Sequence, residues 1–120
     1  EEGFVYIHDR IKDMIVSGGE NIYSTEVEAA LFAHPEIIDA AVIGVPNEKY
    51  GEVVKACIVK KEDSDLTEED VINFCKDRIA SYKKPQSIDF IDEVPRNASG
   101  KVLKKVLREP YWKDQDRQVS

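Results

Sequence analysis

Along this chain, blocks of apolar residues alternate with polar punctuation, and the period of the blocks changes from strand-like to helix-like. Residues 37–45, Ile-Ile-Asp-Ala-Ala-Val-Ile-Gly-Val, are almost continuously apolar, which predicts a central strand buried on both faces. After a Tyr50-Gly51 turn, residues 52–60 form a second strand, with Val54, Ala56 and Ile58 on one face and Val53, Cys57 and Val59 sharing the other with Lys55. The short connection predicts antiparallel pairing, and a third strand is expected over 87–91. Near the start, residues 4–8 and 13–17 read as short strands joined around Arg10-Ile11-Lys12, with Gly18-Gly19 as the next break.

Helical spacing appears in three places. Val27, Ala30 and Leu31 follow Thr25-Glu26-Val27-Glu28, which has the form of a capping box, so a helix is predicted over 25–33, stopped by His34-Pro35. Thr67 heads three acids and a stripe of Val71, Ile72, Cys75 and Ile79, with Leu66 placed to staple onto Val71, which predicts a helix to about residue 80. Pro85 limits its continuation. The loop from Pro95 to Lys101 leads into a last short helix, ended by Pro110, with residues 113–120 as a loose polar tail. The fold class is therefore α+β: a small three-stranded sheet covered by helices, with an N-terminal two-stranded hairpin, in one domain over 1–112.

Composition narrows the function. With 120 residues and a formal net charge of −7, the chain is one domain without a general nucleic-acid-binding surface. No apolar run approaches the roughly 20 residues of a membrane span, and nothing resembles a signal peptide. Cys57 and Cys75 lack metal or disulfide spacing and are read as core residues, and His8 and His34 as structural. No metal site is expected, and a cytoplasmic setting fits the cysteine usage. The absence of an initiator methionine and the immediate strand-like start are read as a piece of a longer chain.

The chemistry concentrates in Pro95-Arg-Asn-Ala-Ser-Gly-Lys101. A phosphate-binding G-x-x-x-x-G-K-[ST] loop is excluded, because Pro95 replaces the first glycine and Val102 the magnesium-binding hydroxyl. In a plainer account Ser99 caps the last helix, Gly100 permits the turn and Lys101 is a solvated surface residue. That account places a lysine in a first helical turn, against the macrodipole.

Residues 95–101 resemble the closing P-x-x-x-x-G-K motif of the adenylate-forming superfamily, which includes acyl-CoA ligases, luciferase and peptide-synthetase adenylation domains. Residues 9–28, Asp-Arg-Ile-Lys-Asp-Met-Ile-Val-Ser-Gly-Gly-Glu-Asn-Ile-Tyr-Ser-Thr-Glu-Val-Glu, resemble the same family's hinge motif, and the two motifs stand in family order. The resemblance implies a mobile C-terminal domain of an ATP-dependent carboxylic acid:CoA ligase. Such an enzyme joins acid and ATP to acyl-AMP and pyrophosphate, then releases acyl-CoA and AMP. It also implies a larger N-terminal domain, absent here, as partner, holding ATP, the acid and Mg2+; alone, this piece should not turn over.

By the same resemblance Lys101 is the adenylation lysine, supported by Pro95, Ser99 and Gly100. Lys12 is the pivot of a hinge with Arg10 and Asp13, near residues 10–13. Gly18 and Gly19 border the channel for the pantetheine arm, with Tyr50, Tyr82 and Lys84 near the nucleotide end of CoA. Each has a plainer counterpart: an exposed turn at Lys12, a tight turn at Gly18-Gly19, and complementation of a helix end at Tyr82-Lys83-Lys84. Two other functions remain open from sequence, an adenylation domain that loads a carrier-protein thiol and a non-catalytic binding module that retains the fold. The identity of the acid belongs to the absent domain.

Overall fold

The computed structural model describes the backbone of residues 14–119 and the side chains of residues 14–112. Its centre is the β-hairpin foreseen from the apolar runs. Strand β3 (Ile37–Asn47) pairs antiparallel with β4 (Gly51–Lys60), Ala41 facing Cys57 and Ile43 facing Lys55. Strand β5 (Ser87–Phe90) joins β4 in parallel, giving the order β3-β4-β5. The central run is buried on both faces, because the alternating sides of the sheet meet different helices.

On one face α1 (Ser24–Phe32) and α2 (Glu68–Lys76) close the main core, in which Val27, Leu31, Val71 and Cys75 meet Val42, Val54, Ala56 and Ile58. On the other face Leu107 and Tyr111 of α3 (Lys104–Val119) pack on Ile43, Val45, Val53 and Cys57. The assignment of alternate β4 residues to opposite faces holds. The α+β class, the three-stranded sheet and the N-terminal hairpin are all present.

Local details differ from the sequence expectations. The described hairpin pairs β1 (Met14–Ser17) with β2 (Glu20–Tyr23), so Gly18-Gly19 is its turn. Both glycines have positive φ, 58° and 86°, as a type I′ turn demands. The expected strand over 4–8 lies outside the described residues, as do Arg10, Lys12 and Asp13.

The α1 capping box does not form. The helix starts at Ser24 with no side-chain cap, and Glu28 turns instead to the sheet, where it accepts the Val42 N–H at 2.8 Å. A buried amide on a neighbouring strand is the more demanding partner. The box at Thr67 does form, with Asp70: Thr67 Oγ1 accepts the Asp70 N–H, and the Asp70 carboxylate accepts the Thr67 N–H, both at 3.1 Å. This helix ends at Lys76, earlier than expected, and a short 3-10 turn, Ser81–Lys83, follows. Lys84 is held extended before Pro85.

The largest correction concerns the C-terminal segment. The last helix begins at Lys104, not directly behind Ser99, and continues through Pro110 to Val119, where a break and a loose tail were expected. Pro110 is exposed and omits only one ladder hydrogen bond. The next two side chains hold the helix down: the Tyr111 hydroxyl donates to the Asp89 carboxylate, and Trp112 Nε1 donates to the Gly44 carbonyl at 2.8 Å.

Candidate functional site

The loop bearing Lys101 is a tight structure built by Asn97. The Asn97 side-chain oxygen accepts from the Ser99 N–H and the Lys101 N–H, each at 3.0 Å, and from the Ser99 hydroxyl at 2.8 Å. The Asn97 main chain donates to the Lys101 carbonyl at 3.0 Å and accepts the Gly100 N–H at 3.0 Å. Arg96 and Val102 form a bridge across the base, and the Leu103 N–H reaches the Pro95 carbonyl at 2.9 Å. Gly100, with φ 91°, makes the reversal that a side chain would strain.

Hence Ser99 is a loop residue and not a helix cap, and Lys101 precedes the helix by three positions. The conflict between a first-turn lysine and the helix dipole therefore disappears. Lys101 is exposed, and its position comes from the loop.

Two ion pairs mount this loop on the body. Arg96 holds Asp39 of β3 at 2.6 and 3.0 Å. That hydrogen bond keeps the Asp39 carboxyl below its ordinary value of 3.8, against the opposing effect of partial burial. Behind the loop, Lys104 donates to Glu28 and to the Ser24 hydroxyl, each at 2.8 Å. A depression of about 240 Å³ results, lined among others by Phe32, Glu28, Arg96, Lys101 and Lys104.

The second set of sequence candidates also converges. Gly18, Tyr50, Tyr82 and Lys84 line one open cleft of about 480 Å³, with Ser17, Gln86 and the single acid Glu20. Gly19 belongs to the same turn but is not part of the lining. Tyr50 and Tyr82 are 44% and 47% exposed, so both present aromatic surface to the cleft. Lys84 lies beyond the 3-10 turn, its Nζ 3.4 Å from the Ser81 carbonyl and hydroxyl, while Lys83 pairs with Glu26 at 2.8 Å. Neither lysine sits at the end of α2, so complementation of that helix does not explain them. The two depressions share no lining residue.

Sequence reasoning missed several partners. Asn97 was signalled only by its place in a turn-forming stretch. Lys55, a cation inside an apolar strand, was visible, but its partners were not. It is 8% exposed, pairs with Asp89 at 3.1 Å and lies 5.0 Å from the centre of the Tyr111 ring. Partial burial works to raise the Asp89 carboxyl, yet hydrogen bonds from Tyr111 and Lys55 outweigh it and hold it low. Burial, then the bond to Asp89, raises the Tyr111 phenol. Cys57 and Cys75 are buried free thiols, each pushed up to about 11 chiefly by burial, as core residues should be.

Among the described residues no group of three or more His, Cys, Asp or Glu side chains could hold a metal ion. None of the described helices is long and apolar enough to cross a membrane.

The family model of the AMP-binding enzyme C-terminal domain matches residues 26–101, from α1 through the Lys101 loop. The chain belongs to this family. Members similar to it include the long-chain-fatty-acid–CoA ligase FadD13 of Mycobacterium tuberculosis, 46% identical over 92% of this chain and 22% of that protein. The 2-succinylbenzoate–CoA ligase of Bacillus mycoides is 47% identical over 90% of this chain and 22% of its own length. Among solved structures, a fatty acyl CoA synthetase of Mycobacterium tuberculosis superposes with a TM-score of 0.81 at 43% identity, covering 88% of this chain and 21% of that one. This AMP-binding enzyme C-terminal domain thus spans about a fifth of the length of the relatives it matches.

Proposed function

We propose that this domain is the mobile lid of an ATP-dependent carboxylic acid:CoA ligase, with Lys101 serving adenylation and the Tyr50–Tyr82 cleft serving CoA. The observation that carries the proposal is the separation of two prepared surfaces on one small domain. One presents a lysine on a hydrogen-bonded, tethered loop, and the other presents exposed aromatic residues and a cation beside a glycine turn. Relatives of nearly equal identity are named for very different acids, a long-chain fatty acid and 2-succinylbenzoate. Choice of acid therefore belongs to the larger domain, as does any Mg2+ that accompanies ATP.

In adenylation a carboxylate oxygen attacks the α-phosphorus of ATP, the bond to the bridging oxygen breaks, and pyrophosphate leaves. Two anions must approach, and an ammonium placed between them stabilises the charge that develops. Lys101 suits this because its compact charge sits on a flexible stem, whereas its main chain is fixed at both ends by Asn97. In open solvent such a contact at 4 Å is worth about 1 kcal/mol, and at a protein surface about 4 kcal/mol. Delivery into another domain's cleft therefore multiplies what the same lysine can do. For the second step the domain rotates about Lys12, with Arg10 and Asp13 beside it, so that the cleft with Gly18 and Lys84 faces the adenylate. The CoA thiolate then attacks the acyl carbon and AMP leaves. Without the larger domain the chain has no turnover.

The test is Lys101→Ala in the full-length parent enzyme, with the two half-reactions assayed separately. Adenylation, read as pyrophosphate exchange, should fall by about a hundred-fold or more. Thioester formation from supplied acyl adenylate should stay within about three-fold. Equal loss of both steps rejects the assignment.

A further inference from the structure

Glu52, at the start of β4, reaches out of the sheet to the N-terminal hairpin. Its Oε1 accepts the Val16 N–H at 2.8 Å, and the Gly18 N–H donates to the Tyr50 carbonyl at 3.0 Å. Ser17 pairs with Glu20 and Ile15 with Ile22 around the two-residue turn, so the amides of Val16 and Gly18 point away from β2, toward residues 50–52. A main-chain carbonyl meets the second amide. At the first, a carboxylate stands in for a carbonyl.

Space for that carboxylate exists because residue 44 of the neighbouring strand is glycine. A Cβ there would lie 2.4 Å from Glu52 Oε2 and 2.7 Å from its Cδ, closer than any real contact. The hairpin held in this way presses Gly18 onto the Tyr50 ring, where a Cβ on Gly18 would lie 3.1 Å from Tyr50 Cδ1. Gly44, Glu52, Val16, Gly18 and Tyr50 thus form one train of contacts from the edge strand β3 to the wall of the cleft.

We infer that Glu52 is a positioning residue for thioester formation: its carboxylate sets the Gly18 turn against the Tyr50 ring and so fixes the width of the cleft. The inference rests on the reading of that cleft as the CoA surface. Glu52 acts only through the hairpin. Its bond to Val16 is solvent-exposed, so water replaces it when it is lost, and the consequence falls on position more than on folding.

The experiment uses the full-length parent enzyme, with CoA varied in the thioester half-reaction and pyrophosphate exchange as the control for adenylation. Glu52→Ala should raise KM for CoA about ten-fold and leave adenylation within about two-fold. Glu52→Gln keeps an acceptor oxygen and should stay within about three-fold of the parent for CoA. Gly44→Ala should reproduce Glu52→Ala, and the double variant should be no worse than either, since both act on one contact. The inference is overturned if Glu52→Ala leaves KM for CoA within about two-fold, or if both half-reactions fall together in Glu52→Ala and Glu52→Gln. An unsubstituted parent that shows no saturation by CoA sinks the reading of the cleft, and this inference with it. A saturable parent with an indifferent Glu52→Ala sinks the inference alone.

Discussion

Arg96 grips Asp39 with two guanidinium nitrogens, at 2.6 and 3.0 Å, and thereby fastens the loop that ends in Lys101 to the edge of β3. Asp39 lies in the hydrogen-bonded β3–β4 ladder, so this pair ties the loop of an exposed lysine to the sheet. The geometry is bidentate, which a lysine at position 96 could not reproduce.

Asp39→Asn in the parent enzyme should slow adenylation about ten-fold while thioester formation from supplied adenylate changes less than about two-fold. Asp39 has a depressed folded value, so its contribution is complete above its ordinary value of 3.8 and is lost only as pH falls through the lowered one. The Asn variant should therefore lack an acid-side loss of stability that the parent shows below about pH 4, measured by urea denaturation at stepped pH.

Tyr111→Phe removes the hydroxyl that meets Asp89 and leaves the ring over Lys55. The expected loss is about 1–2 kcal/mol in urea denaturation, below the full value of a charge-assisted bond. The discount arises because the Asp89 side chain is 38% exposed. The alkaline side provides a second readout. Because the folded phenol is raised above its ordinary value of 10.0, its contribution is complete below that pH and is lost as pH rises toward the folded value. The parent should lose this stability above about pH 10, and Tyr111→Phe should have none of it to lose.

Gly18→Ala and Gly19→Ala separate backbone strain from cleft shape. Both positions have positive φ, so each substitution should destabilise the domain by about 1–2 kcal/mol. Only at Gly18 would the new methyl meet the Tyr50 ring, at 3.1 Å, since nothing lies within 4 Å at Gly19. Gly18→Ala should raise KM for CoA at least about five-fold, and Gly19→Ala less than about two-fold, in the thioester half-reaction. Equal effects on CoA would show that the ring contact has no role in the cleft.

Much of this architecture was legible because it rests on local pattern. The apolar run of β3, the two-faced alternation of β4 and the Thr67 cap each carry their instruction within a few residues, and the structure follows them. The errors came where a distant group outbid a local one. Glu28 matches a capping box but serves Val42 and Lys104, and Pro110 ends most helices but not one pinned by Tyr111 and Trp112.

The sequence by itself determined the fold class, the family, and the residue types at both candidate surfaces, because propensities, periodicity and the motif at residues 95–101 are properties of short stretches. Only the tertiary structure decided that Gly18, Tyr50, Tyr82 and Lys84 share one cleft, that Arg96 leans on Asp39, and that Glu52 reaches Val16. Those partners are far apart along the chain, and their pairing depends on how sheet and helices close around a core, which no local window of sequence contains.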